Sequence, residues 1–466
     1  MTEKKKNGLN ISARSFLVAI AVIFVLMVLT YVLSFTIPGG SYARIPDENG
    51  NLIIDRAAGY TPMEGGIPVW KWIFSPFLVL GASGSGTLIA VIIFLLVVGG
   101  VFNSLEIHGL MQYMLRWITH RFAAKRYRLL SILSLFFMLS GALIGSFEEC
   151  VPLVPIVVAL SVSLGWDDLT GLGMSLLSVG FGFATGVCNP FTVGIAQELA
   201  GLPMFSGIWL RLVAFVLIYG LLQLFLRRHT KKVERPVDAE MHSNFYENPK
   251  MRRALICFAV ILGLGILAVL SSGFLTFLQD YTMILIAVAF LAGGVVSVLI
   301  SGVSVKELAE TFWHGLVGML PAVLMILMAS SIKFTLEESH VLDTILCGAV
   351  SIAETLPRWL VILFIYLIVL VMNFFVGSGS AKAFMLIPLI VPLAQIFGIS
   401  SQLSVVAFAF GDGFSNVFYP TNAALLISLG LANVSYGKWF RWVWKLQLLN
   451  LLLTSALLLF GLAVGY

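Results

Sequence analysis

Four polar interruptions, arranged as two matched pairs, lie inside the long hydrophobic stretches of this chain. The first pair is GSFEEC at 145–150 and CNPFT at 188–192, and the second pair is GSGSAK at 377–382 and YPTN at 419–422. A membrane-embedded chain breaks a helix or buries a charge only where protein covers those groups or where they line a wet cavity. Breaks at corresponding places in the two halves of a chain are typical of the substrate site of a secondary transporter.

The amino-acid composition indicates a membrane location. Of the 466 residues, 59% are hydrophobic and only 11% are charged, whereas soluble domains carry about 25% charged residues. Residues 15–37 contain no charge, and this run exceeds the ~7–15 apolar residues of a cleaved signal peptide. We therefore predict an all-α polytopic membrane protein that retains this first span.

Motifs of enzymes and pumps are absent from the sequence. The four cysteines lie in apolar surroundings without a CxxC pair, which argues against a disulfide framework or a metal site. No Walker A motif, HExxH motif or nucleophile–base pair occurs, so neither an ATP-driven pump nor an enzyme is indicated. The net charge of +5 comes from residues between the spans, so it does not indicate a nucleic-acid partner. We expect no cofactor.

Clusters of basic residues predict the topology. They lie at 4–14, 105–128, 227–253 and 438–445, whereas 38–66 carries two basic and four acidic residues. Because cytoplasmic loops carry an excess of Lys and Arg, we expect the N-terminal segment 1–14 and the other three clusters in the cytoplasm. The loop at 38–66 is then external, in a multi-pass protein of the cytoplasmic (inner) membrane of the cell.

Two segments are predicted to enter the membrane without crossing it. As helices, 129–144 and 152–164 would reach only ~20–24 Å at ~1.5 Å per residue, short of a ~30 Å hydrocarbon core. We therefore predict re-entrant helical hairpins over 129–164 and, from the opposite side, over 359–397. Each hairpin precedes a predicted broken transmembrane helix, at 169–204 and at 402–435, because prolines interrupt those apolar runs.

These elements recur in two halves of the chain. The predicted repeats cover 15–226 and 281–464, and they are joined by a cytoplasmic linker at 227–253 and a linking span at 254–272. Gly165 and Gly398 occupy corresponding places, 233 positions apart. The single linking span turns the second copy over, so we predict two inverted-topology repeats with the substrate near the midplane between them.

The tips and breaks resemble those of a known family. GSFEEC, GSGSAK and the NPFT and YPTN breaks are similar to those of the C4-dicarboxylate anaerobic carrier (DcuC) family, closest to its YfcC-like branch, which is labelled as basic amino acid antiporters. The resemblance covers about 15–464 and implies membership of the ion-transporter superfamily. It also implies a homodimer in which a scaffold domain supports a mobile transport domain. Movement would be elevator-type alternating access, coupled to sodium or protons.

The candidate site residues lie in the four interruptions, together with two polar residues of the second broken helix that precede the YPTN break, Asp412 and Asn416. The predicted substrate-binding residues are Gly145, Ser146, Glu148, Glu149, Asn189, Ser378, Gly379, Ser380, Lys382, Thr421 and Asn422. The predicted ion-coupling residues are Ser146, Asn189, Thr192, Asp412, Asn416, Thr421 and Asn422. Broken helices supply freed carbonyls and side-chain oxygens that suit a hard cation, although such a break can also be a simple kink.

The charges of the tips predict the solute. Glu148 and Glu149 favour an amino or guanidinium group, sodium or a proton, because each charge at the bilayer centre costs ~2.5–3.5 kcal/mol unless it is compensated. Lys382 would either bind a substrate carboxylate or neutralise one of these glutamates.

We predict a secondary active transporter for a small carboxylate-bearing metabolite, preferably an amino acid, basic ones included, moved by exchange or with ion coupling. Its expected partners are this solute, the lipid bilayer and sodium or a proton as coupling ion. One alternative is a carrier of C4-dicarboxylates or other organic anions, coupled to sodium or protons. An alternative of a different class is a channel, which would need a continuous pore.

Overall fold

A computed structural model describes residues 13–46, 52–54, 59–82, 85–122, 125–145, 147–203, 205–235, 248–271, 281–353 and 355–466. Several predicted features fall wholly or partly outside the described residues. They are Ser146 of the first tip, the N-terminal segment up to residue 12, positions 47–51 and 55–58 of the external loop, position 204 of the first broken helix, positions 236–247 of the linker and position 272 of the linking span.

The described chain is almost entirely helical. Before the linker, the helices are α1 (Ala13–Thr36), α2 (Val69–Ile73), α3 (Ser75–Leu78), α4 (Ser85–Ile107), α5 (Leu110–Phe122), α6 (Arg126–Ile144), α7 (Val154–Ser163), α8 (Asp168–Leu172), α9 (Ser178–Thr185), α10 (Ile195–Leu199) and α11 (Ile208–Val233). After the linker, they are α12 (Pro249–Ser271), α13 (Thr282–Ile300), α14 (Val305–Gly318), α15 (Leu320–Glu338), α16 (Val341–Ala353), α17 (Arg358–Phe375), α18 (Gly379–Ile396), α19 (Ser401–Phe414), α20 (Ala423–Leu431) and α21 (Tyr436–Ala463).

Four short strands form a β-arm between α1 and α2. β1 (Gly39–Tyr42) pairs antiparallel with β4 (Tyr60–Met63), and β2 (Arg44–Pro46) pairs antiparallel with β3 (Leu52–Ile54). The β-arm occupies the segment predicted to be the external loop, and β1 packs against α16.

Seven helical segments in the described parts of the chain are long and apolar enough to cross a membrane. They are Leu88–Ile107, Arg126–Ile144, Ile208–Val233, Pro249–Ala268, Arg358–Phe375, Gly379–Ile396 and Tyr436–Ala463. Helices satisfy their own backbone polar groups, as the hydrocarbon core of a bilayer requires. The prediction of an all-α polytopic membrane protein is confirmed, with the small β-arm as an addition.

Two helices of the predicted hairpins, α6 and α18, are longer than the sequence indicated. α6 has 19 residues, and α17 and α18 have 18 residues each. α18 gains its first turn because Ser378 Oγ accepts a hydrogen bond from Ala381 N at 3.4 Å and caps the helix. α7 is short, with 10 residues after the 3-10 segment Glu148–Leu153. The length argument, which was made for 129–144 and 152–164, is therefore wrong for α6, which could span a bilayer, as α17 and α18 could. The re-entrant hairpins at 129–164 and 359–397 stay predictions.

Asparagine side chains restart the helix after each of the two breaks. Asn189 Oδ1 accepts a hydrogen bond from Thr192 N at 3.3 Å, in the irregular stretch between α9 and α10. Asn422 Oδ1 accepts a hydrogen bond from Leu425 N at 3.0 Å and caps α20. Each break thus places an amide side chain at the start of a half-helix, where the backbone N–H groups lack helical acceptors.

Three linkers of the first half and the three corresponding linkers of the second half each contain a residue with positive φ. The pairs, which lie 231, 233 and 232 positions apart, are Gly109 and His340, Gly165 and Gly398, and Gly201 and Asn433. Glycine adopts this conformation without steric cost, whereas His340 (φ +57°) carries a side chain there against that cost. The backbone therefore makes the same turn where α4 meets α5 and where α15 meets α16.

The two halves of the chain are interlocked. α1 and α3 pack on α15, while α13 and α14 pack on α4. The contact between α4 and α14 is close, because a Cβ on Gly315 would overlap the carbonyl oxygen of Gly99. Asn103 Nδ2 of α4 also donates a hydrogen bond to Thr311 O of α14 at 2.6 Å. Each half therefore supplies helices that cover the other.

Candidate functional site

α19 carries a buried carboxylate at the centre of the candidate site. Asp412 has no solvent exposure and forms an ion pair with Lys382, which is also fully buried, in the first turn of α18. The neighbouring Gly413 lets α19 approach α9 closely, because a Cβ there would overlap Ala184. The GDG sequence at 411–413 thus allows a charge to sit between tightly packed helices.

Asn373, near the end of α17, connects this ion pair to α19. Its Oδ1 accepts a hydrogen bond from Lys382 Nζ. Its Nδ2 lies within hydrogen-bond distance of three oxygens: Asp412 O at 2.9 Å, Ser415 Oγ at 2.6 Å and Asn416 Oδ1 at 2.9 Å. All five residues are buried, so the polar groups satisfy one another in place of water.

Both predicted hairpin tips reach the first helix break. Gly145 has φ +80° and lies so close to Asn189 that a Cβ would overlap the amide of that side chain. At the second tip, a Cβ on Gly379 would come within 2.6 Å of Thr192 Cγ2 and 2.9 Å of Asp412 Oδ2. Glycine is therefore required at both tips for the backbone to pass the polar side chains of the break.

The second break joins the same cluster. Asn422 Nδ2 donates a hydrogen bond to Asn416 Oδ1 at 3.3 Å, and Asn416 in turn contacts Asn373. Thr421 lies half-buried in the turn just before this cap. The four interruptions thus gather at one place, and packed side chains fill its centre.

The charges of this cluster do not balance. Glu148, half-buried at the first tip, lies near enough to Asp412 and Lys382 to interact with both electrostatically. One cation is therefore shared by two carboxyl groups, so these three groups contain one more acidic side chain than basic ones. Glu149 is half-buried in the same 3-10 segment.

The structure brings most of the sequence-predicted site residues together. The residues that contact one another or face the cluster are Gly145, Glu148, Asn189, Thr192, Gly379, Lys382, Asp412, Asn416 and Asn422. Ser378 instead caps α18 at the exposed end of the tip, with its Oγ 3.4 Å from Ser380 Oγ.

Lys382 has a partner that the sequence interpretation did not consider. It was expected to bind a substrate carboxylate or to neutralise Glu148 or Glu149, but its ammonium group pairs with Asp412. Asn373 and Ser415 were also missed. Asn373 could have been found from its position, since it is the only carboxamide in the apolar helix α17.

Thr192 offers a buried oxygen that is not used within the protein. Its hydroxyl has no hydrogen-bond partner among the residues the structure describes, and the residue is 1% exposed. A buried polar atom without a partner costs free energy, so this oxygen is suited to a ligand or ion. Across the described residues, no group of three or more His, Cys, Asp or Glu side chains could hold a metal ion.

Comparison with known proteins identifies the family. The sequence profile of the C4-dicarboxylate anaerobic carrier family matches residues 16–463. The chain belongs to this family. The resemblance seen at the tips and breaks is confirmed, and the protein is a multi-pass membrane transporter rather than an enzyme.

Two relatives extend this comparison. This carrier is 29% identical over 410 residues to the Escherichia coli (strain K12) protein named "Putative basic amino acid antiporter YfcC", covering 82% of this chain and 80% of that protein. It is 26% identical over 386 residues to an uncharacterized protein of Haemophilus influenzae, covering 79% of this chain and 74% of the relative. Among solved structures, the Alcanivorax borkumensis YdaH transporter aligns with a TM-score of 0.45 at 18% identity, covering 97% of this chain and 99% of that one.

Proposed function

We propose that this carrier is a secondary active transporter that exchanges a small amino acid, with basic amino acids favoured, across the cytoplasmic membrane. The observation that carries the proposal is the surplus acidic side chain where the two tips and two breaks meet. Lys382 and Asp412 neutralise each other, and Glu148 remains. A charge buried in a membrane protein must be paired or neutralised, so the loaded site favours a cationic group.

The remaining parts of the site suit the other end of an amino acid. Ser378 lies at the exposed N-terminus of α18, where unpaired backbone N–H groups attract a carboxylate. Glu148 would then face the ammonium or guanidinium group of the solute. The Escherichia coli relative's name, which describes a basic amino acid antiporter, supports the same assignment.

The second candidate function is transport of a C4-dicarboxylate with a coupling ion. The description of the family supports it, and so does the unused hydroxyl of Thr192 beside Asp412. In this alternative, sodium or a proton would supply the positive charge at the cluster, and Asn189, Asn416, Thr421 and Asn422 would add oxygens. The solute carboxylates would then lie at the N-terminus of α18.

Alternating access between two inverted repeats is the mechanism that we infer for either solute. The three matched left-handed linkers and the interlocked helices support an internal repeat. A homodimer with elevator-type movement of the hairpins and broken helices remains an inference from family resemblance. The cytoplasmic N-terminus and inner-membrane location are inferred from the basic clusters.

The test is counterflow in proteoliposomes with purified protein. Vesicles loaded with unlabelled arginine should accumulate labelled lysine or arginine, whereas vesicles loaded with succinate should not. We expect Glu148→Gln to reduce this exchange at least tenfold, and Glu310→Gln, an exposed acid of α14, to leave it within twofold. The exchange rate of Glu149→Gln shows whether Glu149 also takes part in binding the cationic group of the solute.

The outcomes separate the candidates. Sodium-dependent succinate accumulation, without exchange of basic amino acids, would favour the dicarboxylate carrier and overturn the proposed solute. Dissipation of every imposed gradient, without accumulation against one, would indicate a channel. Under ion coupling, Asn189→Leu and Asn422→Leu should change the sodium or pH dependence, and an unchanged dependence would make both breaks simple kinks.

A further inference from the structure

A cavity lies beside the tip of the second predicted hairpin. It has a volume of about 320 Å³ and is lined by residues of the β-arm, of the turn between α15 and α16, and of the tip itself. We call it the side cavity, and its charged or polar lining residues are Ser41, Arg44, Glu337, His340 and Asp343. Its volume is near the lower end of the ~300–1,000 Å³ that ligand pockets occupy, so it suits one small solute.

The tip of the second hairpin separates the side cavity from the buried cluster. Val376 and Ala381 line the side cavity, while Gly379 between them passes directly beside Thr192 and Asp412. A solute in the side cavity would therefore be one layer of backbone away from the cluster. Movement of the tip would open the side cavity toward the cluster.

An ion pair forms one wall of the side cavity. Arg44 Nη2 of the β-arm donates to both carboxylate oxygens of Asp343, at 2.9 Å and 3.0 Å, and Tyr42 N donates to Asp343 Oδ2 at 3.0 Å. Asp343 is buried, and residues some 300 positions apart are thereby fixed together. The ion pair ties the guanidinium to Asp343 through the single nitrogen Nη2, and such charge-assisted hydrogen bonds are stronger than neutral ones.

Glu337 supplies a carboxylate of the opposite sign to Arg44 on the lining. It is exposed, and its Oε1 lies 3.2 Å from Lys333 Nζ one helical turn earlier. The lining thus carries a guanidinium, which is paired with Asp343, and a second carboxylate from Glu337, so a zwitterion would meet groups of both signs in one small space.

His340 holds its place in the side cavity at a conformational cost. Its φ of +57° is the left-handed conformation that side chains disfavour, and the corresponding linker residue in the first half is Gly109, with φ +77°. The turn itself therefore needs no side chain. Strain retained where glycine would serve points to a role for the imidazole in the space that it lines.

We propose that the side cavity is a second binding site, for a zwitterionic α-amino acid, that holds the solute next to the tip covering the buried cluster. Glu337 faces the ammonium group, and His340 and Arg44 face the carboxylate. This inference rests on the proposed function, because it takes the transported solute to be an amino acid.

The test is equilibrium binding of labelled lysine to the full-length protein in detergent. The central cluster is first weakened by Asp412→Asn or, if that variant does not fold, by Glu148→Gln. On this background we expect residual binding that Glu337→Gln and His340→Gly each weaken at least tenfold. Glu338→Gln is the matched control: this neighbouring acid pairs with Lys71 and does not line the side cavity, so binding should stay within twofold.

His340→Gly also separates a binding role from a structural one. Glycine relieves the backbone strain, so the thermal unfolding temperature should not fall while lysine affinity does. Parental affinity in both Glu337→Gln and His340→Gly would overturn the side-cavity site. Failure of the proposed function would give a different result: the wild-type protein would exchange no amino acid in proteoliposomes.

Discussion

The buried ion pair between Lys382 and Asp412 leads to an asymmetric prediction about stability. Removing one partner of a buried pair costs about 3–5 kcal/mol, because the other charge is left uncompensated. Here, Glu148 lies close to both groups. After Asp412→Asn, Lys382 still faces that glutamate, whereas after Lys382→Met two carboxylates face each other with no cation between them.

The order of the two effects follows from these charges. At an effective dielectric constant of about 20, two charges about 4 Å apart interact with about 4 kcal/mol, and the interaction falls in proportion as the separation grows. We therefore expect Lys382→Met to lower the free energy of unfolding by about 4–5 kcal/mol and Asp412→Asn by about 2–3 kcal/mol. The double variant should cost about 2 kcal/mol less than the sum of the single variants, because its second substitution removes a charge that is already unpaired.

Equilibrium unfolding in mixed micelles, followed by the fluorescence of the 10 tryptophans, measures these differences. Lys333→Met is the matched control, because Lys333 belongs to a surface i,i+4 pair with Glu337 that contributes only about 0.3–0.5 kcal/mol. If Lys382→Met were no more destabilising than Lys333→Met, or if Asp412→Asn were the worse of the two, the described charge arrangement would be refuted.

Two further predictions concern packing and pH. Gly141→Ala should destabilise the protein by about 1–3 kcal/mol, because its Cβ would overlap the backbone of α9 at Val179. Gly220→Ala is the control: open space surrounds this glycine, so the substitution should be neutral or stabilising by up to about 1 kcal/mol. Thermal unfolding of both variants checks this, and equal losses of stability would contradict the contact between Gly141 and α9. Asp167, in the loop before α8, is partly buried, which raises its pKa, but hydrogen bonds from His229 and Thr170 outweigh this and hold the pKa at about 2, below the ordinary value of about 3.9. Its stabilisation, about 1 kcal/mol after solvent screening, is therefore present above pH ~4 and lost as the pH falls toward 2. Asp167→Asn should flatten the loss of stability between pH 4 and 2, and an unchanged slope would exclude this contribution.

Much of the helical architecture follows from the sequence because a bilayer imposes strong rules. Uncharged runs become helices, and basic clusters fall between them. The helix breaks were predictable for the same reason, since Asn189 and Asn422 sit in runs that are otherwise apolar. Helix ends were less predictable: the cap that Ser378 provides extends α18 to Gly379, although GSGSAK looks like a loop.

The pairing inside the site could not be predicted from the sequence. Lys382 and Asp412 lie 30 positions apart on different helices, and Glu148 was an equally reasonable partner by charge alone. Docking of the β-arm on α16 depends on a contact between Arg44 and Asp343 across 299 positions. Neither periodicity nor charge counting reports such a contact, because both describe the chain only locally.

The interlocking of the halves has a consequence for biogenesis. α4 leaves the ribosome 198 residues before the first residue of α14, from Ile107 to Val305. Until then its buried polar residues, Asn103 and Ser104, must meet lipid or a chaperone in place of α14. A fragment that stops after α11 should therefore be degraded in cells, and co-expression of the missing portion should rescue it.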